Sequence, residues 1–197
     1  MQYKIKVRGL SPIIQHNGAT GLDPRTPFNI EKAAITKKRG NNRTEADDIR
    51  LRELETATSL YFGDDGKPTL PEALIRSTIE VAARKLKQGP QVREGLIVTE
   101  VVKFEYDEKL GKNVEELCKT VQFTVPVVVQ RSRILRTRAK FDKWAVIFMV
   151  DCDDELVDQQ QLEAWLEIAG RRIGFGDWRP HKGGQYGRFE TVSIKSV

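Results

Sequence analysis

The run Trp144–Val150, WAVIFMV, is apolar throughout and constrains the fold more than any other stretch of the chain. Seven successive residues of that kind suit a buried central strand. A sheet is therefore expected, and neighbouring patterns supply its other members. Tyr3, Ile5 and Val7 alternate with Lys4, Lys6 and Arg8 in the manner of a half-buried strand. Leu96–Tyr106 and Phe189–Val197 read as two more strands, and Val121–Val129 as a further β run.

Helical signals lie between them. Thr44 with Asp47 resembles a capping box opening a helix whose apolar face is Ala46, Ile49, Leu54, Ala57 and Tyr61, ending near Phe62-Gly63. Pro71 suits the first turn of the next helix, where Leu74, Ile75, Thr78, Ala82 and Leu86 recur until Gly89-Pro90. Asp158 and Gln161 cap a third, with Leu162, Trp165, Leu166, Ala169 and Ile173 on its face. Gly9–Gly21 and the basic stretch Thr36–Arg43 read as loops.

Setting aside Arg25–Phe62 as a helical insertion and Asp107–Phe141 as an inserted basic β-hairpin leaves strand, helix, strand, strand, helix, strand. That order predicts an α+β, ferredoxin-like (βαββαβ) core in a single domain over residues 1–197. No apolar run approaches the ~20 residues that span a bilayer, so no membrane partner is expected. The charged, alternating start of the chain is unlike a signal peptide. Cys118 and Cys152 lack any CxxC spacing and read as free thiols of a cytoplasmic protein.

The net charge of +5 matters less than where the charge gathers. The segment Gly170–Phe189, GRRIGFGDWRPHKGGQYGRF, holds six of the fifteen glycines. Arg171, Arg172, Arg179, Lys182, Arg188, Trp178 and Tyr186 are interleaved with them. Glycines let a backbone approach a partner closely, cations neutralise phosphates, and flat rings stack on unpaired bases. A second basic track holds Arg131, Arg133, Arg136, Arg138, Lys140 and Lys143 against the single acid Asp142. In an extended chain Arg131 and Arg133 share one face, and Arg136, Arg138 and Lys140 share a face further along. Ile134-Leu135 shifts the phase between the two sets, as a bulge or bend does. Lys37, Lys38 and Arg39 form a third cluster, read as an arm that folds over a bound strand.

Signals for an enzyme are sparse. His16 and His181 are the only histidines, and no HxH, HExxH, GxxxxGK[ST] or GxSxG pattern is present. Neither a metal nor a cofactor is expected. The acids of DCDDE at Asp151–Glu155 read as the end of a strand and the start of a turn. His16 and His181 are the candidates for a general base, should the chain cleave RNA.

Three segments carry a resemblance: the opening KIKVRGLSPIIQHNG, the middle VPVVVQRSRILRTRAKFDKW and the ending AGRRIGFGDWRPHKGGQYGRFE. They resemble a widespread set of phage and prophage proteins, with GDWRP followed by GRF as the most specific part. More distantly the chain is similar to the RAMP superfamily, the repeat-associated proteins of CRISPR effectors, which share an RRM-like core and a glycine-rich loop before the last strand. The resemblance implies a loop contact through Gly174, Gly176, Gly183, Gly184 and Gly187, and a strand-gripping role for the basic hairpin. The expectation is a single-stranded nucleic-acid-binding protein, most naturally a phage DNA-coating protein. It would form homo-oligomers along the strand in replication or recombination, with RNA as the other polymer it could take. The alternatives are a RAMP-like, metal-independent endoribonuclease and a phage protein that engages a CRISPR or other defence component.

Overall fold

The computed structural model describes residues 1–63, 65–129 and 132–197, and the backbone alone for 41, 127–129, 132 and 133. Its elements run β1 (Gln2–Gly9), β2 (Ile13–Ile14), α1 (Gly18–Leu22), α2 (Pro27–Lys37), α3 (Glu45–Ser59), α4 (Glu72–Arg84) and α5 (Gly89–Gly95). They continue with β3 (Leu96–Tyr106), α6 (Val114–Thr120), β4 (Gln122–Val129), β5 (Ser132–Phe141), β6 (Trp144–Cys152), α7 (Gln159–Ile168) and β7 (Phe189–Ser196). The class is α+β with antiparallel sheets. Two compact units form: Met1–Ile14, Thr69–Asp107 and Phe141–Val197 in the first, Gln15–Pro68 and Glu108–Lys140 in the second. The second gathers most of the two stretches read from sequence as insertions.

The first unit is built on a four-stranded sheet of order β3-β6-β1-β7. Each adjacent pair is antiparallel, with Ile5 opposite Phe148 on one side of β1 and Ile194 on the other. β6 lies inside the sheet, which explains a run without charge. Its Val146, Phe148 and Val150 are fully buried beside Ile5 and Val7 of β1. Helices α4 and α7 supply the opposing layer through Ile75, Ile79, Ala82, Leu162, Trp165 and Leu166, all buried. The Trp165 indole N–H donates to Gln88 Oε1 at 2.7 Å, so the ring is buried without leaving its donor unpaired. The other sheet face presents Lys4, Lys6 and Arg8, with Lys6 paired to Glu105 at 2.7 Å and Arg8 paired to Glu190.

The second unit is organised by α3. The capping box read at Thr44 and Asp47 is present: Thr44 Oγ1 accepts the Asp47 N–H, and Asp47 accepts the Thr44 N–H. Lys38 donates to the Asp47 carboxylate as well, and Lys38 first, then the Thr44 N–H and hydroxyl, pull the Asp47 carboxyl down to about 2. Only the C-terminal half of α3 is buried, through Leu54, Ala57 and their neighbours. Ile49, placed on the apolar face by its spacing, is 52% exposed. The helix ends at Ser59 rather than at Phe62, because the Tyr61 N–H goes to Gln15 Oε1 at 2.9 Å.

Other boundaries also differ from the sequence reading. Gly89-Pro90 opens α5 instead of stopping α4, which ends earlier and leaves Leu86 45% exposed. Thr36 and Lys37 belong to α2, which starts at a Thr26 cap with Pro27 in its first turn. α6 was not anticipated, although Asn113 caps it. Pairing of β4 with β5 runs without a shift from Gln122↔Ala139 to Val129↔Ser132, so the register carries no bulge at Ile134-Leu135, contrary to expectation. Both cysteines are buried free thiols.

Candidate nucleic-acid interface

In the second unit, α3 closes the side of β5 that faces away from β4. Glu55 Oε2 accepts the Thr137 N–H at 2.8 Å, and Ser59 Oγ accepts the Ala139 N–H at the same distance. Thr137 and Ala139 point inward and are buried. By the two-residue repeat, Arg136, Arg138 and Lys140 project from the opposite side. The Arg136 guanidinium donates to Glu55 Oε1 at 2.9 Å. Lys140 Nζ stands 4.9 Å from the centre of the Phe123 ring, a cation–π distance.

Beside this strand lies a cleft of about 270 Å³ whose lining includes His16, Lys32, Glu55, Arg136, Thr137 and Arg138. Three cationic side chains and a histidine thus share a concave site with one carboxylate. Burial holds the Arg138 guanidinium below its ordinary range and Arg136 pushes it further, against the opposing pull of Glu55. Burial lowers Lys32 too, with Glu55 raising and Arg136 lowering it. His16 is lowered by burial first and by Arg138 second. At Lys32, Arg138 and His16 burial thus works against the charged form, and an anion entering the cleft would oppose it. Lys32 and Glu55 were not anticipated as site residues. They lie on α2 and α3, far along the chain from Arg138, and only the fold brings them to β5.

The remaining basic candidates divide. Arg131 lies outside the described residues, and for Arg133 only the backbone, within β5, is described. Lys37 and Arg39 are exposed at the end of α2. Lys38 is engaged with Asp47 at 2.7 Å, where it supports the start of α3.

The glycine-rich segment belongs to the first unit. A π-helical turn over Ala169–Ile173 ends at Gly174, and Phe175 turns inward to stack on Phe189 with ring centres 4.4 Å apart. Beyond it the backbone folds onto itself: the Tyr186 N–H donates to the Trp178 carbonyl at 3.1 Å, and the Phe175 N–H to the Gly187 carbonyl at 2.9 Å. A Cβ on Gly184 would collide with the Trp178 carbonyl, and one on Gly187 with the Phe175 carbonyl. These glycines serve the loop's own close packing, whereas Gly183 faces open space. Gly176 is fixed in the same way, against the Ile14 carbonyl.

Trp178, at φ 49, and Tyr186 are half-buried, their rings tilted by 40° with centres 6.2 Å apart. Arg179 donates from Nη1 to the Gly176 carbonyl at 3.1 Å, and its buried Nε has no partner among the described residues. Lys182 and Arg188 are exposed. His181 is exposed as well, and its pKa is lowered by burial first, then by Lys182, Arg179 and Lys85. The loop and the end of α4 thus make a second positive patch.

Among the described residues, no group of three or more His, Cys, Asp or Glu side chains is placed to hold a metal ion. Asp153 accepts the Glu155 N–H at 3.0 Å, the arrangement of a turn. No described helix is long and apolar enough to cross a membrane. Comparison with protein-family models and with curated proteins finds no match to this chain.

Proposed function

We propose that the protein binds single-stranded nucleic acid without cleaving it, and that the cleft of Lys32, Arg136 and Arg138 takes the phosphates. The observation that carries this reading is geometric: Lys32, Arg136 and Arg138 converge with His16 on one concave site of about 270 Å³ against the single carboxylate of Glu55. The patch of Arg179, Lys182 and Arg188 supplies further phosphate contacts, and Trp178 with Tyr186 offers ring surface for bases. The element order of the first unit and its strand order support a ferredoxin-like core: second, third, first and fourth core strands lie side by side. That arrangement supports in turn the kinship with phage strand-coating proteins and, more distantly, with RAMP proteins. Coating implies copies of the chain in register along one strand, DNA being the natural polymer in that setting.

Fluorescence anisotropy with labelled single-stranded DNA, single-stranded RNA and duplex DNA, titrated across salt, tests the proposal. Binding should favour single strands, tighten with strand length and weaken steeply as salt rises. Equal, weak binding to all three would overturn it and turn attention to a protein partner.

One observation favours a second reading. His16 shares the cleft with Lys32 and Arg138, and its lowered pKa keeps it neutral near pH 7, as a general base for a ribose 2′-OH must be. That reading requires RNA cleavage in EDTA that is lost in His16→Ala. An RNA strand that binds and stays intact excludes it.

A further inference from the structure

A second cavity in the same unit, of about 320 Å³, adjoins the cationic cleft. Asn17 lines both. Asn17 is held in place from three directions: its N–H donates to the Ser59 carbonyl at 3.0 Å, its Nδ2 to the Leu60 carbonyl at 3.1 Å, and its Oδ1 accepts the Thr20 N–H at 3.1 Å. It forms a fixed partition between a charged compartment and an aromatic one. The aromatic compartment is walled by the half-exposed rings of Phe28 and Phe62, with Leu60 and Ala57 behind them. Phe28 is presented by the first turn of α2. Phe62 is set by a tight turn, its backbone bridged to Pro68 and the next N–H, of Gly63, bonded to the Lys67 carbonyl at 2.9 Å.

We infer that this cavity seats an unpaired nucleobase whose phosphate lies in the adjoining cationic cleft. The two compartments together accept one nucleotide of a single strand. The inference rests on the reading of the cleft as a phosphate site. The cavity, at about 320 Å³, lies at the small end of the ~300–1,000 Å³ typical of ligand cavities and has room for a flat heterocycle. Two rings on the wall offer stacking, the interaction every base can make. Two of the polar side chains there are already engaged, Asn17 as above and Asn113 with Glu116 through both its amide groups at 3.0 Å, and the Thr20 hydroxyl is a third polar group on the wall. Recognition is therefore mainly by stacking and shape. A base paired within a duplex is stacked between its neighbours and cannot enter, so the same cavity explains a preference for single strands.

The test compares an oligothymidylate with an abasic strand of equal length and equal phosphate number. Wild-type protein should bind the base-bearing strand more tightly. Phe62→Ala should weaken that strand by about 5- to 150-fold, the range measured for loss of one base–aromatic stack, and leave the abasic strand and the salt dependence unchanged. A 2-aminopurine placed in the strand should lose fluorescence on binding to the wild type, a readout that needs no variant. Equal affinity of wild type for both strands, or an equal effect of Phe62→Ala on both, overturns the base seat while leaving the phosphate cleft intact. Absence of binding to both strands overturns both.

Discussion

Replacing Arg138 by glutamine separates a residue kept for a ligand from one kept for the fold. In the free protein Arg138 is shifted in the unfavourable direction by burial and by Arg136, with Glu55 opposing. Glu55 has its own engagements with Arg136 Nη1 at 2.9 Å and the Thr137 N–H at 2.8 Å, and these survive the substitution. The shorter glutamine side chain keeps much of the aliphatic stem and removes a charge that the cleft disfavours. Folding stability should therefore fall by no more than about 1 kcal/mol, the centre of the range for single substitutions. Binding should respond more strongly. Loss of one charge-assisted phosphate contact costs about 1.5–3 kcal/mol, or roughly 10- to 150-fold in Kd. The slope of log K against log salt should fall by about 0.7, the value for one phosphate of a single strand. Thermal or urea denaturation beside anisotropy at several salt concentrations reads both quantities. A variant that loses stability and binding in proportion would refute the reasoning and make Arg138 a structural residue.

Other outcomes follow from the same geometry. A strand phosphate in the cleft counters Arg138 and raises His16, so binding takes up a proton and affinity should increase as pH falls below about 6.5. The charged groups lining that cleft with His16 are Lys32, Glu55, Arg136 and Arg138, and His16→Gln should flatten the profile. The unbound protein should move the other way: with His16 lowered in the fold, its contribution to stability is present above about 6.5 and is lost as pH falls, measurable as a decline in Tm. Gly187→Ala, at φ 71 and facing the Phe175 carbonyl, should cost at least about 2 kcal/mol and lower Tm by roughly 4–8 °C. Gly183→Ala meets only open space and should cost about 1 kcal/mol. Burial pushes the Cys152 thiol up to about 11, so it should resist thiol reagents until the protein unfolds.

The sheet was legible because its strands carry their own burial pattern: Tyr3, Ile5 and Val7 alternate, and Trp144–Val150 is apolar on both faces of an internal strand. The caps at Thr44 and Asp158 were legible because a capping box is local chemistry. The end of α3 was not, since Tyr61 is drawn away by Gln15, a residue 46 positions distant. The basic strand showed its shared face of Arg136, Arg138 and Lys140, but not the helix carboxylate that organises it. Lys32 lies in a stretch without a basic run, and the rings of Phe28 and Phe62 lie in different elements. The glycine segment shows the converse limit. Its composition suggested backbone exposed to a partner, whereas Gly176, Gly184 and Gly187 are required by contacts within the first unit.

Photo-crosslinking of a single strand carrying 4-thiothymidine, followed by peptide mapping, tests the central claim most directly. Adducts are expected on peptides containing His16–Lys32, Phe62 and Arg136–Lys140, suppressed by salt and by Arg138→Gln. Adducts confined to Lys4, Lys6 and Arg8 on the open sheet face, or labelling unaffected by salt, would contradict the claim.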